Sequence, residues 1–152
     1  MDSVYELFMR GRRLLEEGDC HAATVPLRRA RELEPDKASI REALGRALFG
    51  SQRYPEAAAE FQAIVDRKPT DHYALFCLGR ALQKQGKHAE ARAPLTQAAL
   101  LRPDRGDYRK YCDQARRHRS GRAAAGAPRA RATTASAVST RPRACPTPGS
   151  RP

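Results

Sequence analysis

The sequence contains no tryptophan and no asparagine, and aromatic residues make up only 6% of its 152 positions. A core built from it must rest on aliphatic side chains and alanine rather than on large rings. No window approaches the roughly 20 consecutive apolar residues that a membrane-spanning helix requires. The opening residues, Met1-Asp2-Ser3-Val4-Tyr5-Glu6, carry acids where a secretory leader carries bases, and no apolar stretch follows them. The chain is therefore expected to be soluble and cytoplasmic. Its four cysteines, Cys20, Cys77, Cys112 and Cys145, are scattered without a CxxC pair, which argues for reduced thiols and against a disulfide framework or zinc site. His21, His72, His88 and His118 show no HExxH spacing either, so they read as surface histidines and no metal is expected. Phosphate-cradling loops of the GxxxxGKS/T type and GxSxG nucleophile elbows are absent. Neighbouring carboxylates such as Glu16 and Glu17 fall on the polar side of a helix. No catalytic constellation and no cofactor are expected.

Charge is present in quantity but unevenly spread. Residues 1–115 hold 20 Lys+Arg against 17 acids, whereas residues 116–152 hold nine arginines and no acid. Most of the formal charge of +12 thus sits in the last quarter of the chain. The segment 120–152 also lacks aromatics, Leu, Ile and acids and is rich in Pro, Ala, Ser and Thr. It cannot bury enough apolar surface to offset the entropy of ordering, so it is expected to be a disordered basic tail.

The rest of the chain repeats. Gly11, Gly45 and Gly79 lie 34 residues apart, as do Arg12/Arg46/Arg80, Leu14/Leu48/Leu82, Ala23/Ala57/Ala91 and Pro35/Pro69/Pro103. Other columns keep character: Leu27/Phe61/Leu95, Ala30/Ile64/Ala98 and Gly18/Gln52/Gly86. The glycines fall mid-helix, where Gly costs about 0.8–1 kcal/mol relative to Ala, so a close helix crossing is expected there, with the alanine column facing it. The prolines end each second helix. Asp36, Thr70 or Asp71, and Asp104 are placed to cap the next one. Pro26 and Pro94 fall inside second helices and predict a local bend. Residues 107–119 carry a stripe of Tyr108, Tyr111, Cys112 and Ala115, as a helix closing the array should.

With this period and these columns the chain resembles the tetratricopeptide repeat family, whose unit is a 34-residue helix–turn–helix with a closing proline. Departures lie at the early aromatic column, here Leu7, Arg41 and Leu75, and before the turn, here Leu14, Leu48 and Leu82. The resemblance implies an all-α fold: a right-handed α-solenoid of three helix hairpins (4–37, 38–71 and 72–105), a capping helix at about 107–119 and the tail. It implies a non-catalytic adaptor or scaffold domain, residues 1–119, that binds a partner protein or peptide in a concave groove lined by the first helix of each unit. The implied groove residues are Tyr5, Phe8, Arg12, Arg46, Phe49, Tyr73, Phe76, Arg80 and Lys84, with Met9, Leu15, Glu16, Ser39, Glu42, Ala43, Cys77 and Gln83 beside them. The arginine ladder suits a partner with carboxylates and apolar side chains. Arg12 is expected to pair with Glu16 and Arg46 with Glu42 at i, i+4, leaving Arg80, whose i+4 neighbour is Lys84, without an acid on its own helix. Heat-shock co-chaperones of the family clamp a terminal carboxylate with Lys, Asn, Asn, Lys and Arg. The matching positions here are Phe8, Arg12, Ala43, Tyr73 and Cys77, so that mode of capture is not expected. Two alternatives stand beside the adaptor reading: a nucleic-acid-associated protein acting through its basic tail, and a chaperone for a secreted substrate.

Overall fold

The 34-residue period becomes two helices per unit. A computed structural model describes residues 2–122, with side chains through residue 118. The described residues form α1 (Val4–Glu16) and α2 (Cys20–Leu33), α3 (Ala38–Gly50) and α4 (Tyr54–Arg67), α5 (His72–Lys84) and α6 (His88–Leu101), then α7 (Gly106–Arg122), with no strand among them. α7 takes the place expected for the capping helix and runs three residues past Arg119. The expected disordered tail lies, beyond residue 122, outside the described residues.

Each helix packs chiefly on the next in sequence, and the further contacts of note join α1 to α3 and α5 to α7. The first helices and α7 therefore form an inner layer, and α2, α4 and α6 an outer one, in an α-solenoid. Within each unit the glycine is the point of closest approach. A Cβ on Gly11 would lie 2.4 Å from Leu27, one on Gly45 2.8 Å from Phe61, and one on Gly79 2.4 Å from Leu95. The residue seated over each glycine is thus the large Leu27/Phe61/Leu95 column, not the alanine column expected to face it. Ala23, Ala57 and Ala91 are fully buried elsewhere in the same core. A large knob over a missing side chain gains more dispersion contact than two small residues in apposition.

Helix ends follow local chemistry with two departures. Ser3 and Glu6 form a reciprocal capping box on α1, Asp19 accepts from Ala22 N at 3.0 Å on α2, and Asp71 accepts from Ala74 N at 3.2 Å on α5. Asp36 does not cap α3, because Arg67 from the next unit holds it at 2.6 Å, and Lys37 takes the cap position with no side-chain bond. Asp104 is likewise held by Arg102, at 3.0 and 2.9 Å. The hydrogen bonds from Arg102, aided by its charge, hold the Asp104 carboxyl pKa down at about 2. A charged guanidinium within reach outcompetes a backbone amide. Between the helices of a hairpin the chain turns through the left-handed region at Gly18, Gln52 and Gly86, which explains the glycine preference of that column.

The middle unit solves one packing problem differently. Pro26 and Pro94 are buried within α2 and α6, which run continuously through them. The corresponding residue of α4 is Glu60, only 4% exposed. It binds Arg31, and it accepts from Arg41 Nη1 at 2.9 Å. Arg41, which stands at the early aromatic column, also donates from Nε to the Pro35 carbonyl at 2.7 Å. A buried carboxylate held by two arginines thus stands, with Arg41, where the outer units have Pro and Leu. Such a charge is tolerable only while its partners remain.

Candidate functional site

The inner layer presents the 34-residue columns in register, but its three arginines meet three environments. On α1, Arg12 is exposed and sits 3.8 Å from Glu16, with its guanidinium 5.8 Å from the Phe8 ring centre. Arg10 pairs with Asp2 at 3.2 Å and Arg13 with Glu17 at 3.8 Å. These residues surround a cavity of about 590 Å³ whose apolar walls are the exposed Tyr5 and Met9.

On α3, Arg46 is half-buried, and its Nε is buried without a hydrogen-bond partner. The expected ion pair with Glu42 does not form among the described residues. Burial pushes the Glu42 carboxyl up, the Arg46 charge draws it back through space, and Asp71 pushes it up further. The residue four positions after Arg46 is Gly50, where a Cβ would lie 2.3 Å from Cys20 Sγ. Packing against α2 therefore excludes an acid at the place where Glu16 serves Arg12.

On α5, Arg80 lies over the ring of Tyr111 of α7, its guanidinium carbon 3.9 Å from the ring centre, and donates from Nη1 to Gln83 at 2.9 Å. Gln83 Nε2 reaches the Tyr111 carbonyl at 3.4 Å. Arg80 and Lys84 line a second cavity, of about 450 Å³, together with Lys110 and Gln114 of α7.

α7 is anchored beside this cavity by one ring cluster. Tyr108 is fully buried and stacks on Phe76 with ring centres 4.5 Å apart. His72 Nδ1 lies 2.9 Å from the Tyr108 hydroxyl, and Arg102 Nη1 lies 3.5 Å from His72 Nε2. The neutral tautomer with its proton on Nδ1 meets both contacts, donating to Tyr108 and accepting from Arg102. Burial and then the Arg102 charge lower the His72 pKa, and burial pushes the Tyr108 hydroxyl up to about 12. His72 is therefore a structural ligand of α7 rather than a surface histidine. His88 and His118 stack 3.9 Å apart, which joins the start of α6 to α7.

Two family models, both described as tetratricopeptide repeat, match residues 8–72 and 60–93. The chain belongs to the tetratricopeptide repeat (TPR) family. Solved TPR structures share the fold. MamA MSR-1 superposes with a TM-score of 0.72 at 22% identity, over 82% of this chain and 71% of that one. The first TPR of Spaghetti (RPAP3), bound to the HSP90 peptide SRMEEVD, does so with a TM-score of 0.72 at 14% identity, over 77% and 93%. YrrB, described as a TPR protein with an unusual peptide-binding site, gives 0.68 at 22%, over 77% and 58%. The chain spans 64% to 71% of the length of the MamA chains it matches. No curated protein matches. Among the described residues no helix is long and apolar enough to cross a membrane, and no cluster of three potential metal ligands occurs.

In this TPR layer Tyr5, Phe8, Arg12, Arg46, Arg80 and Lys84 retain accessible surface, whereas Phe49, Tyr73 and Phe76 are buried. Phe49 packs edge-on against Tyr54 at 5.1 Å, and α7 covers Phe76. These three rings shape the wall and present no face to a ligand. The structure adds Lys110, Tyr111 and Gln114, which stand 34 residues after Phe76, Cys77 and Arg80. The 34-residue columns, continued into α7, are the sequence signal that leads to them.

Proposed function

We propose that this chain is a non-catalytic TPR adaptor that holds an extended segment of a partner protein along its inner layer, from the Tyr5/Met9 end to the Arg80/Lys84 end. The observation that carries this reading is the half-buried Arg46 at the centre of that layer, whose buried Nε has no hydrogen-bond partner and whose side chain makes no ion pair among the described residues. A guanidinium short of acceptors is costly, and a partner's carbonyl or carboxylate drawn to its accessible part would offset that cost. The peptide-bound RPAP3 repeat and the peptide-binding site named for YrrB support the same use of the fold.

Photo-crosslinkers placed in cells test the face directly. Positions 12 and 84 lie on the inner layer, positions 62 and 97 on the outer, and all four are exposed. A partner should crosslink from 12 and 84. Crosslinking from 62 and 97 alone would move the partner to the outer layer. The basic residues 116–152 favour a second reading, association with nucleic acid through phosphate contacts. Under that reading, binding would fall steeply with salt and survive charge removal in the inner layer.

A further inference from the structure

Lys110 and Gln114 are the continuation into α7 of the columns that hold Phe76 and Arg80 in α5. The helix that closes the apolar core therefore also extends the ligand-facing surface by one more step. Together α5 and α7 wall the cavity of about 450 Å³, with His88 from the start of α6 at its edge.

Three of the groups lining this cavity, Arg80, Lys84 and Lys110, carry fixed positive charge, and no carboxylate lines it among the described residues. The arrangement is built rather than incidental. The Arg80 guanidinium is clamped on the Tyr111 ring and bonded to Gln83, which is itself buried and reaches across to α7. Lys110 Nζ lies 5.6 Å from the same ring. A guanidinium stacked in this way loses little further entropy on binding and keeps an edge for an acceptor. Three like charges converging on one cavity repel each other until an anion enters.

We propose that the α5–α7 cavity is the subsite for two carboxylate side chains at alternate positions of an extended, acidic partner segment. The proposal rests on the reading that a partner segment lies along the inner layer. Alternate residues of an extended strand point to the same side about 6.6 Å apart, so two carboxylates can reach Arg80 and the lysine pair together. The cavity volume falls in the range that takes several side-chain groups, roughly 300–1,000 Å³, where a single small anion would leave most of it unfilled. Residues 116–152 contain nine arginines and no acidic side chain, so they offer this cavity no pair of side-chain carboxylates. None of the lining residues belongs to the five carboxylate-clamp positions of the co-chaperones.

The test is an amide-resolved NMR titration of the full chain with three synthetic peptides. One carries glutamates at two alternate positions, one has glutamine at both, and one carries a single phosphoserine. The paired-glutamate peptide should shift amides around Lys84 and Lys110, and the glutamine peptide should not. The double variant Lys84→Gln/Lys110→Gln should weaken that binding at least tenfold, while Arg29→Gln, exposed on the outer helix α2, leaves it within twofold. The readout is the shift of amides around Lys84 and Lys110, which separates binding at this cavity from charge attraction of an acidic peptide to the nine arginines of residues 116–152. Equal binding of the glutamate and glutamine peptides would overturn the proposal, as would tighter binding of the phosphoserine peptide. If the peptide shifts inner-layer amides but the double variant binds as well as the parent, the groove reading stands and this subsite falls. If no inner-layer amide responds to any peptide, both fall.

Discussion

The two ends of the inner layer are built from the same repeat columns yet differ in electrostatic character. At the α1 end each of three arginines has an acid within 4 Å, and the exposed surface between them is Tyr5 and Met9. At the α5–α7 end Arg80, Lys84 and Lys110 face one cavity that no carboxylate lines. One column accounts for most of the contrast: Glu16, Gly50 and Lys84 stand four residues after Arg12, Arg46 and Arg80. The acid neutralises the first arginine, the glycine gives the second no acid at that position, and the lysine doubles the charge of the third. Columns that pack helix on helix tolerate little change, whereas a solvent-facing column can alter charge from unit to unit and so give a uniform scaffold a polar direction.

The comparison depends on a middle unit that holds both ends in register, so its largest disruption should come from there. Glu60→Ala would leave Arg31 and Arg41 without their shared carboxylate, at a cost of about 3–5 kcal/mol. Glu56→Ala, which loses only an exposed pair with Arg28, should cost no more than about 1 kcal/mol. Chemical denaturation of the two variants decides this, and equal midpoints would show that the buried site is not structural.

The ends themselves can be separated by affinity. A hydrogen bond to a charged group is worth about 1.5–3 kcal/mol, so Arg80→Ala should weaken partner binding about tenfold or more. Arg12→Ala, whose charge is already met by Glu16, should change it less than about threefold. Titration calorimetry with the crosslinked partner measures both, and a larger loss at Arg12 would reverse the direction assigned to the groove.

Smaller still is a pH effect confined to the α7 end. The His72 pKa is lowered in the fold, with burial the larger cause and Arg102 the next. Asp71 and Asp104 act against these causes, and Arg105 with them. Protons are thus taken up more readily by the unfolded chain. The stability is present above the ordinary histidine value near 6.5 and is lost as pH falls through the lowered folded value. Amide exchange in α7 should therefore speed up relative to α1 between pH 7.5 and 5.5, and His72→Gln should abolish most of that difference. The smallest effect belongs to Glu42, whose folded pKa is raised chiefly by burial. Its contribution is present below the ordinary glutamate value of 4.5 and is lost as pH rises through the folded value. Glu42→Gln should raise the Tm slightly at pH 7 and leave it unchanged below pH 4.5; a fall at pH 7 would mean that the attraction of Arg46 outweighs burial.

The helices, their pairing and the capping stripe were legible in the sequence because they follow from local periodicity. Gly11, Gly45 and Gly79 recur since only a missing side chain admits Leu27, Phe61 and Leu95 at that distance. Asp71 could be read as a cap from its place before α5, whereas Asp36 and Asp104 could not be excluded as caps. Their diversion depends on Arg67 and Arg102, and Arg67 comes from another unit. Of the candidate site, Arg12, Arg80 and Lys84 were legible as a column and its i+4 neighbours. The burial of Phe76 and Tyr73 was not, because a ring on the inner-layer side of one helix is exposed or covered according to what the next helix brings.

By itself, then, the sequence determined the 34-residue unit, the all-α fold and which helices form the inner layer, since these need only the spacing of small, large and helix-ending residues. Tertiary structure alone decided that Glu60 is buried between Arg31 and Arg41, that Arg46 keeps an unpartnered donor, and that α7 joins Lys110 and Tyr111 to Arg80. Each of these depends on residues about 20 or more positions apart, or on the space a neighbouring helix leaves, and burial and charge pairing are properties of that space rather than of any single stretch of chain.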